Sequence, residues 1–134
     1  MSETLTFDRS YLYNTLKPGI TVAATLRHGS ESVECEAKLD TGSSHCIFKR
    51  SQGELLGLNI ESSPGVGIST VTGRFVAHPH TITIEVLGIA TEALVYFAAD
   101  DSFSKNVLGR TGWLDRVKLG LIDYEGKLLL SEYD

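Results

Sequence analysis

The chain has 134 residues, of which 42% are hydrophobic and 22% are charged. This balance excludes a disordered polar tract, and the length fits one domain with one core. Lys and Arg number 12 against 17 Asp and Glu, which gives a formal net charge of −5. An acidic chain with scattered basic residues is not expected to bind nucleic acid or anionic membranes. The sequence has neither a signal-peptide pattern nor a long apolar run, which predicts a cytoplasmic protein.

Alternation of apolar and polar residues with period two predicts strands through most of the chain. Leu5 and Phe7 indicate a short first strand. Apolar residues then alternate through Ile20–His28 and again through 32–40, and a Gly-Ser pair separates the two runs. This pattern is typical of a β-hairpin with one buried face.

Three segments depart from the alternation. Ser51 stands where it would cap a short helix that runs to Leu56 and stops at Gly57. Residues 62–73 are rich in Gly, Ser and Thr, which is typical of a mobile hairpin or loop between strands. Residues 106–114 contain two glycines and predict another helical turn near their end.

The second half of the chain continues the strand pattern. Strands are predicted at 82–86, 94–98, 117–122 and 128–130, and the last two flank a Glu-Gly turn of hairpin type. The sequence therefore predicts a small, mostly β domain, either a barrel or a sandwich.

One short motif stands out for its chemistry. The predicted strand 32–40 runs directly into Asp40, Thr41, Gly42 and Ser43. Gly42 permits the tight turn that a loop presenting a carboxylate needs, and the two hydroxyls can bond to a carboxylate or to the backbone. Taken alone, the tripeptide Asp-Thr-Gly is equally typical of an Asx turn that closes a strand.

A second motif makes the first one more informative. Asn106-Val107-Leu108-Gly109-Arg110 follows the Gly-rich segment, with two aliphatic residues before a glycine. In this order the motifs resemble those of the retropepsins, the single-lobe aspartic proteases of retroviral type, and the segment from Val107 onward looks like their bacterial members. The resemblance implies one retropepsin-like domain over residues 1–134, folded as a closed acid-protease β-barrel with one or two short helices.

The resemblance also implies roles for individual residues. Asp40 would be the catalytic aspartate, Thr41 would hold the active-site loops rigid through hydrogen bonds, and Gly42 would let the substrate backbone approach. Ser43 would support the same loop. The implied flap over the bound peptide comprises Ile68, Ser69, Thr70, Val71, Thr72, Gly73, Arg74 and Phe75. The implied second motif beneath the loop comprises Val107, Leu108, Gly109 and Arg110.

The implied chemistry requires two carboxylates that share a proton, whereas the chain has one Asp-Thr-Gly. The resemblance therefore implies a homodimer that cleaves peptide or protein substrates. Retroviral enzymes often carry an acid where this chain has Ser44, so no partner is predicted for Arg110. This departure and the altered flap tip keep open an alternative: a catalytically silent module of the same fold for dimerisation or peptide binding.

Other side chains predict no further site. His78 and His80 would share one face of a strand, but no acidic or thiol ligand stands beside them, so neither a metal nor a cofactor is expected. Cys46 is predicted to be a small buried hydrophobe. It is not expected to form a nucleophilic pair with His45, because adjacent residues of a strand point to opposite faces. Trp113 and Tyr124 are expected in the core or at an interface.

Overall fold

The computed structural model describes residues 1–71 and 73–133. The strands in chain order are β1 Arg9–Leu12, β2 Ile20–His28, β3 Glu31–Leu39, β4 Ile47–Phe48, β5 Val66–Thr70, β6 Gly73–Val86, β7 Ile89–Ala98, β8 Val107–Leu108, β9 Lys118–Ile122 and β10 Lys127–Ser131. The helix α1 spans Arg50–Leu55, and single 3-10 turns span Ile60–Ser62, Leu114–Arg116 and Asp123–Glu125. The prediction of a mostly β protein with one or two short helices is confirmed. No helix in the described part of the chain is long and apolar enough to cross a membrane.

The larger sheet closes on itself. Its seven strands run in the order β2-β3-β8-β4-β7-β6-β5, and β2 also pairs with β6, which completes a ring. Thr25, Leu26 and Arg27 form the closing pairs with Glu85, Ile84 and Thr83. A second sheet of order β1-β10-β9 packs at the side of the ring. Of the two architectures left open, the barrel is the one observed.

The alternation of β2 and β3 produces one face of the core. The two strands pair in antiparallel register from Ile20 opposite Leu39 to His28 opposite Glu31, as the sequence predicted. The inward side chains Val22, Ala24 and Leu26 are almost completely buried. They meet the inward residues of β6, β7 and β10 and the buried indole of Trp113, so one apolar core fills the ring.

The first predicted strand is wrong. Residues 1–7 form no strand: Leu5 is 61% exposed, and although Phe7 is half-buried with its ring against Gly120 of β9, the backbone of this segment pairs with no strand. The first strand instead spans Arg9–Leu12 and pairs with β10, where Tyr11 packs against the core. Tyr124 is also absent from the core and is 91% exposed.

The predicted helix after β4 exists, but Ser51 does not cap it. The helix begins at Arg50 and Lys49 is its N-cap residue, without a side-chain cap. The backbone decides this start, because the Lys49 carbonyl accepts the Gln52 N–H while the Lys49 N–H donates to Asn106 Oδ1. The helix ends before Gly57, which adopts a φ of 76° as a helix-stopping glycine should.

The helical turn predicted within 106–114 lies later in the chain. Val107 and Leu108 form β8, which is parallel to β3 and antiparallel to β4. The 3-10 turn begins only at Leu114, directly after Trp113. Tertiary pairing decides the difference, because the two aliphatic residues are buried between two strands that offer them hydrogen bonds.

Candidate active site

Asp40 stands at the point where β3 leaves the ring. Asp40 continues the polar face of β3, on which Lys38 also lies. Its side chain is half-buried. Asp40 Oδ1 accepts the Gly42 N–H at 3.0 Å, and the Asp40 carbonyl accepts the Ser43 N–H at 3.1 Å. These bonds close a tight Asx-type turn that holds the carboxylate at the surface of the barrel.

Two loops interlock beneath that carboxylate, and we call residues 40–46 and 106–111 the interlocked loops. Lys38 N–H donates to the Asn106 carbonyl at 2.8 Å, and Asp40 N–H donates to the Leu108 carbonyl at 3.0 Å. In return, Arg110 N–H donates to the Ser43 carbonyl at 2.9 Å. Backbone bonds in both directions leave the Asp40 turn little freedom to shift relative to β8.

Gly109 allows the two interlocked loops to approach each other this closely. A Cβ built on Gly109 would overlap the carbonyl oxygen of His45 and would stand 2.8 Å from the carbonyl oxygen of Ser43. Because both neighbours are backbone atoms, no side-chain movement could relieve the overlap. The Gly109 N–H points to the sulfur of Cys46 at 3.4 Å. Cys46 is fully buried, as predicted, and burial raises the pKa of its thiol to about 11.

A groove passes Asp40 on both sides. One cavity of about 640 Å³ lies between the Asp40 loop and β5, and a second of about 490 Å³ extends from Asp40 toward residues 102–107. Both are lined by Asp40, Ser43, Ile47, Thr70 and Val71. The carboxylate therefore lies at the middle of an open groove, where an extended chain could pass over it.

The second wall of the groove is the hairpin of β5 and the start of β6, which we call the 66–75 hairpin. Its strands pair from Val66 opposite Ala77 to Thr70 opposite Gly73, so of the hairpin and the loop predicted as alternatives for the Gly-rich segment, the hairpin is observed. Val71 at the tip is fully exposed. Thr72, also assigned to the flap by the resemblance, lies outside the described residues.

The base of this hairpin is anchored by apolar contacts. Ile68 is buried with Ile47 and Val107, and Phe75 packs at the edge of the same cluster. The ring of Phe75 stacks on that of Phe103, with centroids 4.7 Å apart and an interplanar angle of 28°. Ile68 and Phe75 thus hold the hairpin against the groove residues that belong to the rest of the barrel.

The outer residues of the hairpin are held differently. Ser69 and Arg74 are paired and exposed, and a Cβ on Gly67 would overlap the Arg74 guanidinium. The Arg74 side chain therefore lies across the glycine on the surface of the hairpin. An arginine head group on solvent-exposed backbone is easily displaced.

The structure adds lining residues that sequence reasoning did not assign. His45 lines the groove beside Asp40, and its ring lies 4.7 Å from that of Tyr96. Ile47, Phe103 and Lys105 also line the groove. A period-two pattern cannot reveal them, because they lie in or beside segments too short to show a periodicity.

Two residues of the motifs reach outward. Thr41 and Arg110 are exposed, and within the described part of the chain neither side chain has a hydrogen bond or ion pair. Both therefore remain accessible at the rim of the interlocked loops.

The histidine pair is engaged in ordinary hydrogen bonds. His78 Nδ1 lies 2.7 Å from the Ser63 carbonyl, and His80 Nε2 lies 2.9 Å from the Ile60 carbonyl. Both imidazoles thus fasten the 60–63 segment to β6. Among residues 1–71 and 73–133, no group of three or more His, Cys, Asp or Glu is arranged to hold a metal ion.

Comparison with known proteins bears on this fold. No protein-family model and no curated protein matches the sequence. A solved retropepsin-like aspartic protease from Rickettsia conorii is similar over 92% of this chain and 97% of its own, with 20% identity and a TM-score of 0.69. EIAV protease, complexed with the inhibitor HBY-793, is similar over 71% of this chain and 85% of its own, with 21% identity and a TM-score of 0.58. The chain therefore has the retropepsin-like fold, as the motifs predicted.

Proposed function

We propose that this chain of retropepsin-like fold is an aspartic endopeptidase that acts as a homodimer. One observation carries the proposal: the Asp40 carboxylate is fixed by a turn between two cavities that form an open groove beside the 66–75 hairpin. The 66–75 hairpin forms the opposite wall and would act as the flap. The similar solved structures, which are aspartic proteases, support this reading of the groove.

The chemistry explains the need for a second chain. Hydrolysis by this route needs one carboxylate to take a proton from water while a carboxylic acid protonates the scissile carbonyl. Two carboxyl groups about 3 Å apart cannot both ionise, so they share one proton and titrate as a pair. A twofold axis beside Asp40 would supply the second carboxyl from an identical chain.

The exposed rim of the interlocked loops is available for contact with a second chain across such an axis. Thr41 adjoins Asp40, is exposed, and has a hydroxyl that no described residue of its own chain engages. In a twofold dimer this hydroxyl would meet the partner chain, and Thr41 would join the two Asp40 loops. Gly42 would leave room for the peptide backbone, and Ser43, whose Oγ donates to the His45 carbonyl at 2.8 Å, would brace the turn.

A second candidate function is a catalytically silent module for dimerisation or peptide binding. The unpaired Arg110 favours it, since Ser44 offers no carboxylate to the guanidinium among the described residues. Such a module would bind peptides in the same groove without cleaving them.

Cleavage of a mixed peptide library between about pH 4 and 7 tests the proposal, because a shared-proton dyad is active in mildly acidic solution. Products are identified by mass spectrometry. The wild-type chain is expected to cleave, and Asp40→Asn is expected to lose activity while keeping its fold, since Asn conserves the volume of Asp. Asp101→Asn, an exposed acid outside the groove, is the matched control and should cleave like the wild type.

Two results would contradict the proposal. Comparable cleavage by Asp40→Asn and wild type would remove Asp40 from the chemistry. A chain that stays monomeric by sedimentation yet remains active would remove the dimer. Peptide binding without any cleavage would favour the silent module.

A further inference from the structure

A third cavity continues the groove beyond the Asp40 region. It has a volume of about 410 Å³ and shares Ser104 and Lys105 with the cavity that reaches Asp40. Its wall also includes Lys38 and Lys49, and we call it the lysine cleft. The Lys38 stem lies across Gly19, where a Cβ would stand 2.5 Å from Lys38 Cε. The missing side chain at Gly19 thus gives Lys38 its place along the wall.

Asn106 holds the three lysine-bearing segments together. Its carbonyl accepts the Lys38 N–H at 2.8 Å, its Oδ1 accepts the Lys49 N–H at 3.0 Å, and Lys105 precedes it in the chain. Its Nδ2 donates to the Glu36 carbonyl at 3.3 Å. Asn106 is 6% exposed, so a buried amide that bonds through both its oxygen and its nitrogen fixes the spacing of these backbone segments. The fold therefore fixes the backbone positions from which the three lysines reach the cleft.

The charge of the lysine cleft is opposite to that of the chain. Three of its lining residues are lysines and one, Glu36, is an acid, although the whole chain carries a net charge of −5. Glu36 is already bound by Lys17 at 2.7 and 2.8 Å, and this bond lowers the pKa of its carboxyl. Within residues 1–71 and 73–133, none of the three lysines forms an ion pair. Their charge remains available to an anionic ligand.

The lysine cleft begins close to the proposed reaction centre. Lys38 and Asp40 are two residues apart on the same face of the chain, a separation of about 7 Å in an extended strand. An extended peptide advances about 3.3 Å per residue, so roughly two or three residues separate the scissile bond from the cleft. A peptide lying in the groove would thus bring a nearby side chain to the lysines.

We propose that the lysine cleft binds an acidic side chain, Asp or Glu, of the peptide substrate within about three residues of the scissile bond. The inference rests on the proposed function for the peptide that occupies the groove. In a twofold dimer the cleft occurs once on each side of the scissile bond. The preferred substrate would then carry an acid on both flanks of an apolar centre, since Ile47, Phe103 and Val107 line the cavity between Asp40 and the cleft of each chain.

The test uses two fluorescein-labelled nonapeptides and the full-length chain. Both peptides have a Leu-Phe-Leu centre; one has Glu on each flank, and the other has Gln at the same positions. Binding to Asp40→Asn is measured by anisotropy, and cleavage by the wild type is measured as kcat/KM. The Glu peptide is expected to bind about tenfold more tightly, and the ratio should fall as NaCl is raised because salt screens exposed charges.

Lysine variants assign the effect to the cleft. Lys38→Gln and Lys105→Gln, each made in the Asp40→Asn chain, should both lower the Glu/Gln ratio, and the double substitution should bring it close to one. Lys127→Gln is the matched control, because Lys127 lies on β10 and pairs with Glu125, and it should leave the ratio unchanged. Thermal melting checks that each variant remains folded.

The two readouts separate the cleft from the endopeptidase. A Glu/Gln ratio near one, or a ratio that survives the double substitution, overturns the lysine cleft as a subsite. Equal cleavage of both peptides supports the endopeptidase and also rejects the cleft. Preferential binding of the Glu peptide without cleavage supports the cleft and contradicts the endopeptidase.

Discussion

The two walls of the groove are stabilised in different ways. The interlocked loops are tied by reciprocal backbone hydrogen bonds that connect residues far apart in the chain, such as Asp40 with Leu108 and Ser43 with Arg110. The 66–75 hairpin is bonded mainly within itself and touches the rest of the barrel through Ile68 and Phe75 at its base. Its tip at Val71 is fully exposed.

Under the proposed function, this difference would give the two walls different roles. A catalytic carboxylate must be held in place before substrate arrives, which reciprocal backbone bonds achieve. A wall that admits a peptide and then covers it must open at little cost, which a hairpin with few buried contacts allows. The groove of the proposed enzyme would thus combine a fixed reacting group with a movable cover.

The largest difference in stability loss is expected between alanine substitutions at two glycines, one in each wall. Gly109→Ala puts a methyl group into the carbonyls of His45 and Ser43, so we expect a loss of about 3 kcal/mol or no folding at all. Gly67→Ala meets only the end of the Arg74 side chain, which can move, so we expect a loss below about 1 kcal/mol. Urea unfolding of both variants measures the difference.

The glycine pair is well matched, because neither residue has a positive φ and alanine suits both backbones. Equal destabilisation by the two substitutions would show that the interlocked loops can relax as freely as the hairpin. The proposed rigidity of the Asp40 turn would then be wrong.

A smaller difference in stability loss is expected when one side-chain hydrogen-bonding group is removed from each wall. Asn106→Ala removes a buried amide and leaves the Lys49 N–H and the Glu36 carbonyl without this partner, which should cost about 2 kcal/mol. Thr70→Ala removes an exposed hydroxyl that donates to the Gly73 carbonyl, and should cost less than about 0.5 kcal/mol. Thermal denaturation measures the stability of both variants. A larger loss for Thr70→Ala than for Asn106→Ala would contradict the expectation that the interlocked loops are the more tightly bonded wall.

The longer strands of the barrel could be predicted because each has one buried face. The alternation in β2 and β3 appears directly in the sequence, and the structure follows it residue by residue. By contrast, β4 and β8 have two residues each, are buried on both faces, and show no alternation. Their pairing is set by partners far along the chain, and local propensity carries no signal for it.

The same difference between local and long-range interactions decides which parts of the groove could be predicted from the sequence. The Asp40 turn is local, so three consecutive residues suffice to suggest it. The lysine cleft brings together Lys38, Lys49 and Lys105 through the two bonding groups of Asn106. Nothing in the spacing of three lysines reveals a shared cavity, because their proximity depends on the parallel pairing of β3 and β8.

A third prediction concerns the anchor of the hairpin. Phe103→Ala removes the ring on which Phe75 stacks, so we expect a modest loss of about 1 kcal/mol in global stability. Amide exchange should accelerate in the 66–75 hairpin and stay unchanged at Asp40 and Arg110, whose N–H groups bond within the interlocked loops. Tyr124→Ala, an exposed aromatic elsewhere, is the control. Faster exchange in both walls would mean that they open together.

The smallest effect is expected for a thiol inside the interlocked loops. Cys46 is fully buried, and burial raises the pKa of its thiol to about 11. In a Cys35→Ala background, Cys46 should therefore resist Ellman's reagent at pH 8, because it is neither accessible nor ionised. Ser69→Cys, which places an exposed thiol on the 66–75 hairpin, should react at the rate of a free thiol.

The pH dependence of this thiol gives a second measure of the same rigidity. An unfolded thiol ionises near pH 8.5 to 9, whereas the buried Cys46 thiol has a pKa of about 11. The folded state favours the neutral form, so its contribution is fully present below the unfolded pKa and is lost as the pH rises toward 11. The stability difference between the Cys35→Ala chain and the same chain with Cys46→Ala should accordingly be constant up to pH 8 and decline above it. Rapid labelling of Cys46 at pH 8 would instead show that the interlocked loops open as readily as the hairpin.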